Sequence, residues 1–222
     1  MVWNNNAMRS AALMIVMCAV TASVADAQPA GGFRFSLGFT SSSGTKDLAD
    51  GVFAAVVSDF EADGFVVDEP APDVTWPVGL TLHPYYEMNS GLGIGATAGP
   101  FIVGYVEVVG SSRSIFGSST IGGSQRFFVN PVGPDVRYTL WRRSNVSPYV
   151  RAGLRFPLVF GDIVTNGRTG SFIGGGVELF RRKGMQLSAK VGYDTWAVDV
   201  ESGSFAGTVE PGTRLLSVSV TW

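Results

Sequence analysis

The stretch Leu215-Leu216-Ser217-Val218-Ser219-Val220-Thr221-Trp222 decides the fold. Apolar side chains take every second position, Leu216, Val218, Val220 and Trp222, while Ser217, Ser219 and Thr221 take the others. A 180° repeat places the two sets on opposite faces of a strand, one apolar and one polar but uncharged. An amphipathic helix would instead need its apolar residues three and four apart.

The same period runs back through the chain. Phe33, Phe35, Leu37 and Phe39 alternate with Arg34, Ser36, Gly38 and Thr40; Leu92, Ile94, Ala96 and Ala98 alternate with Gly93, Gly95, Thr97 and Gly99. Val150, Ala152, Leu154 and Phe156 alternate with Tyr149, Arg151, Gly153 and Arg155. Eight strands are expected, near 33–41, 74–86, 92–108, 127–141, 146–160, 171–180, 185–199 and 208–222. The links at 87–91, 142–145 and 181–184 are tight, whereas those at 42–73, 109–126, 161–170 and 200–207 are longer. Short and long connections that alternate in this way describe an all-β, antiparallel, up-and-down barrel of eight strands with all its short turns at one end.

Composition chooses the solvent. Only 15% of the 222 residues are charged and 29 are glycine, against averages of about 25% and 7%. The polar faces carry Gly, Ser and Thr rather than Lys and Glu, as a narrow lumen requires. Phe33, Trp76, Tyr86, Phe128, Tyr138, Phe160 and Trp222 stand near strand ends on the apolar face, where aromatic rings mark membrane interfaces. Closure satisfies every backbone group in lipid, which an open sheet cannot do. The barrel is therefore expected to be transmembrane, with lipid outside and polar groups within. A net charge of −2 argues against a nucleic-acid partner.

Residues 1–27 have the form of a cleavable signal peptide: Arg9, the apolar run Ala11–Val20, and Ala25-Asp26-Ala27 before Gln28. Met1 and Met8 are both candidate starts. Cys18, the single cysteine, would leave with this leader, and Met17 before it is a poor match to a lipoprotein signal. The expected mature chain, 28–222, would then hold no disulfide and no cysteine metal site.

The terminal strand, ending on Trp222, resembles the carboxy-terminal signal by which bacterial outer-membrane barrels are recognised for assembly. Ser147-Pro148-Tyr149-Val150-Arg151-Ala152-Gly153 and Gly174-Gly175-Gly176-Val177-Glu178-Leu179 resemble strands of the small OmpX-, OmpA- and OmpW-like barrels. The likeness covers 31–222 in architecture. It implies a Gram-negative cell envelope, outer-membrane lipid and lipopolysaccharide as surroundings, and the barrel assembly machinery as a partner reading Leu216, Val218, Val220 and Trp222. Such families include adhesion proteins, membrane stabilisers, small porin-like channels and a few lipid-modifying enzymes, so fold alone leaves function open.

Two features lie outside the plain barrel pattern. The first long link, 42–73, holds six Asp and two Glu against Lys46, a net charge of −7 that leaves about +5 on the rest of the mature chain. Within it Leu48, Val52, Phe53, Val56, Val57 and Phe60 share one helical face, so a helix is expected near 47–62, with Asp47 at its start as a cap or dipole partner. Such a loop can cover the barrel mouth, dock on an extracellular protein partner or gather divalent cations. Its acids lack the spacing of a calcium loop, and no metal site or cofactor follows from them. The second feature is a set of inward charges: Asp135, Arg137, Arg151, Arg155, Glu178, Lys190 and Asp194. Ionised groups inside a membrane barrel should pair. In simple register Glu178 would lie opposite Gly153 and diagonal to Arg151 and Arg155. The set reads either as a plug or as a constriction that selects small solutes. Phe101, Tyr105, Tyr149, Phe172 and Trp196 are expected inward as well, narrowing the bore or lining a hydrophobic pocket.

Catalysis finds little support. The one histidine, His83, has no His-x-Ser pair or G-x-S-x-G elbow beside it, and is expected to bond to Tyr or Thr neighbours in the lumen. Gly91-x-Gly93-x-Gly95 lies on a strand rather than in a phosphate loop. The leading expectation is a structural or surface-interacting outer-membrane barrel that is not an enzyme. A channel or pocket for small or hydrophobic solutes comes second, and a lipid-modifying enzyme third.

Overall fold

The computed structural model describes residues 31–67, 78–114, 117–181, 185–203, 205–211 and 213–222. Trp76, Cys18 and the 1–27 leader lie outside them. The strands are β1 (Gly32–Ser42), β2 (Val66–Val67), β3 (Val78–Glu87), β4 (Leu92–Ala98), β5 (Ile102–Ser114), β6 (Gly117–Thr139) and β7 (Val146–Gly161). After them come β8 (Val164–Arg168), β9 (Gly170–Leu179), β10 (Gln186–Asp194), β11 (Ala197–Ser202), β12 (Phe205–Val209) and β13 (Thr213–Thr221). One helix, α1 (Gly44–Ala62), follows β1. Its N-cap is Ser43, which makes no side-chain capping bond, so Asp47 sits in the first turn and acts only on the dipole.

Eight staves close a ring: β1, β3, β4 running on into β5, β6, β7, β9, β10 and β13. All neighbours are antiparallel, and β13 returns to β1 with Leu37 opposite Val220 and Phe39 opposite Val218. The last residue completes the seam, because the Trp222 amide donates to the Phe35 carbonyl at 2.9 Å and the Phe35 amide donates back at 3.1 Å. Their rings stack at 6.3 Å.

The apolar face points outward. Phe33, Ile94, Val136, Val150, Ile173 and Leu216 are each at least half exposed, while Ser36, Thr40, Thr81, Thr139, Ser188 and Ser217 are buried. Phe101, Phe128 and Phe160 lie side by side on three staves at one level, with ring centres 6.0 and 5.8 Å apart. Tyr138 lies ten residues below Phe128 on β6. At a rise of about 3.4 Å and a tilt near 40°, that separation gives an apolar band about 25 Å tall, the height expected in a bilayer.

At the upper edge of this band, just below the row of Phe101, Phe128 and Phe160, the strands are interrupted. Gly99-Pro100 separates β4 from β5, and Pro131 lies opposite Pro157 where β6 meets β7, a pair with no amide to donate. Breaks before Gly170, at Thr195-Trp196 and at Glu210-Pro211 interrupt three more staves. Beyond them β8, β11 and β12 form a separate three-stranded sheet. The expected strand at 92–108 is therefore two strands, and the break inverts its pattern: Ile102, Val106 and Val108 are buried. Phe101 and Tyr105, expected inward, face outward instead. The expected loop at 109–126 is mostly the hairpin of β5 and β6.

This upper storey carries the hydrophobic core. Leu48, Val52, Ala55 and Val56 of α1 pack against Ile102, Val106, Val108, Phe127, Val129, Trp196, Val198 and Val200. Burying each aliphatic side chain contributes about 1.5–3 kcal/mol. The helix thus sits between the extended sheets with its acids outward, where Lys46 pairs with Asp50 at 2.5 Å across one turn. The chain is a barrel inverted toward lipid below and an ordinary water-facing fold above.

Gly99 is the hinge between the storeys. Its φ is +105°, and a Cβ there would collide with the Leu80 carbonyl oxygen. Gly99→Val should lower the urea midpoint by the equivalent of about 2 kcal/mol or more and abolish the heat-sensitive fast-migrating gel band of a folded barrel. Gly122→Ala, with open space at its Cβ, should leave both readouts unchanged.

Candidate functional site

Among the described residues, the inward face of the lower storey carries six buried cations, Arg34, Arg137, Arg151, Arg155, Arg181 and Lys190, and four buried carboxylates, Glu87, Asp135, Glu178 and Asp194. Period two delivers all but Arg181, since the others occupy the phase of Ser, Thr and Gly on their own strands, whereas Arg181 follows β9 in the turn. They form three layers.

The layer nearest the short turns is built on two carboxylates. Glu87 meets Arg34 at 2.8 Å, Arg142 at 3.0 Å, and Arg181. Glu178 meets Arg137 at 2.6 Å and Arg181, and the Tyr85 hydroxyl donates to it at 3.4 Å. The Arg137 guanidinium also lies 3.7 Å from the Tyr149 ring centre and 5.0 Å from that of Tyr85. Such contacts stabilise a cation where water is excluded.

In the middle layer Asp135 takes two bonds from Arg151, at 2.9 and 2.5 Å, and a third from the Thr97 hydroxyl at 2.8 Å. His83 Nε2 completes the set at 2.9 Å. The histidine stacks on Tyr85 at 4.7 Å and bonds to this carboxylate, not to the Tyr or Thr neighbours expected for it. In the third layer Arg155 lies 3.5 Å from Asp194. Arg151, Arg155 and Lys190 all face the Phe172 ring, at 5.3, 4.5 and 5.5 Å. Above Phe172 and Trp196 the lining becomes the apolar core described above.

Glycine makes room for the inward rings. A Cβ at Gly176 would come within 2.8 Å of the Tyr149 ring, and Cβ atoms at Gly174 and Gly192 would come within 2.8 and 2.6 Å of Phe172. The lumen between the first and third layers keeps a cavity of about 20 Å³, lined by residues that include Ser36, His83, Arg151, Lys190 and Ser217. A single water needs about that much.

All seven charges singled out from the sequence point into this lumen, but they do not form one cluster. Glu178 pairs in register with Ser147, and Phe172 lies opposite Gly153. Glu178 thus sits six residues further down β7 than simple register places it, and joins Arg137 rather than Arg151 and Arg155. The chain reverses immediately after Gly161 and returns as β8, so the turn is not centred in a 161–170 loop. Sequence reasoning also missed Arg34, Glu87, Arg142 and Arg181. Arg34 has the inward phase on β1, whereas the other three stand in tight links of the sequence pattern. Among the described residues, no group of three or more His, Asp or Glu is placed to hold a metal.

No family model matches the chain, and no curated protein matches it. It is similar in structure to the outer membrane protein OprG from Pseudomonas aeruginosa, at 12% identity, with 86% of this chain and 95% of that one covered and a TM-score of 0.53. Neisserial surface protein A also matches, at 14% identity over 87% and 97% of the two chains with a TM-score of 0.44. The outer membrane protein AlkL matches at 13% identity over 90% and 93%, with a TM-score of 0.46. The first likeness is one of fold: an eight-stranded outer-membrane barrel.

The Asp135–Arg151 pair sets a test of the lumen. Asp135→Leu leaves Arg151 buried without its carboxylate and should cost about 3–5 kcal/mol. Arg151→Met in the same chain should recover much of that loss, giving a coupling above about 1 kcal/mol in urea unfolding of the detergent-folded barrel.

Proposed function

We propose that this chain is an outer-membrane barrel with a structural or surface-interaction role, closed to solutes below by its ion-pair layers and above by its apolar cap. The observation that carries this reading is the cavity beside His83, Arg151 and Lys190 in the layered lumen, which holds only about 20 Å³. Eight strands enclose little space to begin with, and here arginines on aromatic rings occupy it. In this reading the short turns face the periplasm and α1 faces outward, the orientation typical of such barrels. The signal-like leader and the terminal aromatic strand support export and barrel assembly. The acidic exposed side of α1 is the surface offered to an extracellular protein partner or to cation-bridged lipopolysaccharide. His83 is structural in this reading, since its Nε2 is taken by Asp135 and its ring by Tyr85.

A second reading has one observation in its favour. On the strand side of the cap, Ile102, Val106, Val108 and Val129 pack under α1, a surface that suits an apolar solute if α1 moves aside.

Planar bilayers distinguish the two. The intact barrel should give no reproducible conductance steps, and proteoliposomes should take up an apolar dye no faster than empty vesicles. Val52→Asp, which places a charge in the cap core, should undock α1 while the lower layers still block conductance. Steady steps in the intact protein that change on neutralising Arg151 or Arg155 would reject the closed barrel, and accelerated dye uptake would establish the second reading.

A further inference from the structure

Among the described residues, the first charge layer does not balance. Glu87 and Glu178 carry two negative charges against four guanidinium groups, on Arg34, Arg137, Arg142 and Arg181. Arg34 is only 5% exposed. Its Nε faces Glu87 as an ion pair without hydrogen-bond alignment, and its Nη1 has no hydrogen-bond partner among the described residues. Leaving such a donor unmade in a buried site is costly, more so when it is charged.

This layer opens onto a cleft of about 1120 Å³ at the short-turn mouth. Arg34, Arg142, Arg143 and Arg181 line it, with Asn89 and Ser90 from the first turn. Trp141, 71% exposed, and Leu140, 41% exposed, form its outer lip on the apolar side of the barrel. A dianionic oxyanion would neutralise the excess of two charges and accept from several guanidinium forks at once, the geometry in which arginine binds phosphate.

We infer that the short-turn mouth is a binding site for a phosphate group, either on a phospholipid or free in solution. The apolar lip beside the arginines gives acyl chains a place to lie when the phosphate belongs to a lipid. The second layer, where Asp135 already takes four contacts, has no room for such a group.

The test uses the full barrel folded in octyl glucoside, a detergent without phosphate. One arm titrates dioctanoyl phosphatidic acid and follows adducts by native mass spectrometry. The other titrates inorganic phosphate by calorimetry. A single saturable site is expected in at least one arm. Binding should weaken about tenfold in Arg142→Gln/Arg143→Gln, as losing a charge-assisted bond implies. It should be unchanged in Arg168→Gln, which removes a 60%-exposed arginine at the cap end. Phenylglyoxal labelling of the unaltered protein covers the case in which the double variant fails to fold. The bound ligand should shield Arg142 and Arg143 and leave Arg168 reactive. Saturation by the lipid alone identifies a lipid site, and equal protection by inorganic phosphate identifies a site for the free ion. No saturable binding in either arm, or equal shielding of Arg168, overturns the proposal.

Discussion

The structure depends on one seam. β1 and β13, at opposite ends of the described chain, pair from Ser36–Thr221 to Ser42–Leu215. Without that ladder both strands would present a row of unmatched amides and carbonyls to hydrocarbon, at several kcal/mol for each group. Its register also fixes the phase of every other stave, because a slip of one residue exchanges the lipid face for the lumen face. The contact spans nearly the whole sequence and so gains nothing from local folding. The backbone pairing and ring stack of Phe35 with Trp222 at the last residue fit that demand.

With the ring closed, the lumen faces the opposite difficulty. It must hold polar groups out of water, and here it holds more positive charge than negative. Carboxylates shared among several arginines meet part of the cost: Glu87 serves three, and Asp135 binds Arg151 while fixing His83 and Thr97. Aromatic rings meet another part. Tyr85, Tyr149 and Phe172 present their faces to cations and need glycines opposite them to fit. The glycine excess therefore has a specific use, which is to admit large rings into a bore that small residues alone would not fill.

Much of this is legible in the residue order, and the failures are instructive. Eight staves, their faces and their short turns follow from period two, because lipid and lumen impose opposite polarity at every step. Asp135, Arg137 and Arg151 stand out as charges on the polar phase. Period two cannot report a phase change, so it points Phe101 and Tyr105 inward although Gly99-Pro100 turns them out. It also cannot count residues across a reversal, so it matches Glu178 with the wrong arginines. Arg142 and Arg181 look like solvated turn residues in sequence and fold back over the mouth only because Glu87 and Glu178 draw them there.

The level at which Gly99, Pro131, Pro157, Gly170 and Trp196 interrupt the staves has a further meaning. Below it the chain is sorted by lipid, with its oily side chains outermost. Above it, past the bordering row of Phe101, Phe128 and Phe160, the chain is sorted by water, with its buried oily side chains around α1. The two parts share strands but obey inverse rules, so a substitution tolerated in one is disfavoured at the matching phase of the other. Each can therefore vary separately. The surface shown to the surroundings can be rebuilt by lengthening, shortening or recharging the upper storey, while the part that has to enter a membrane stays as it is.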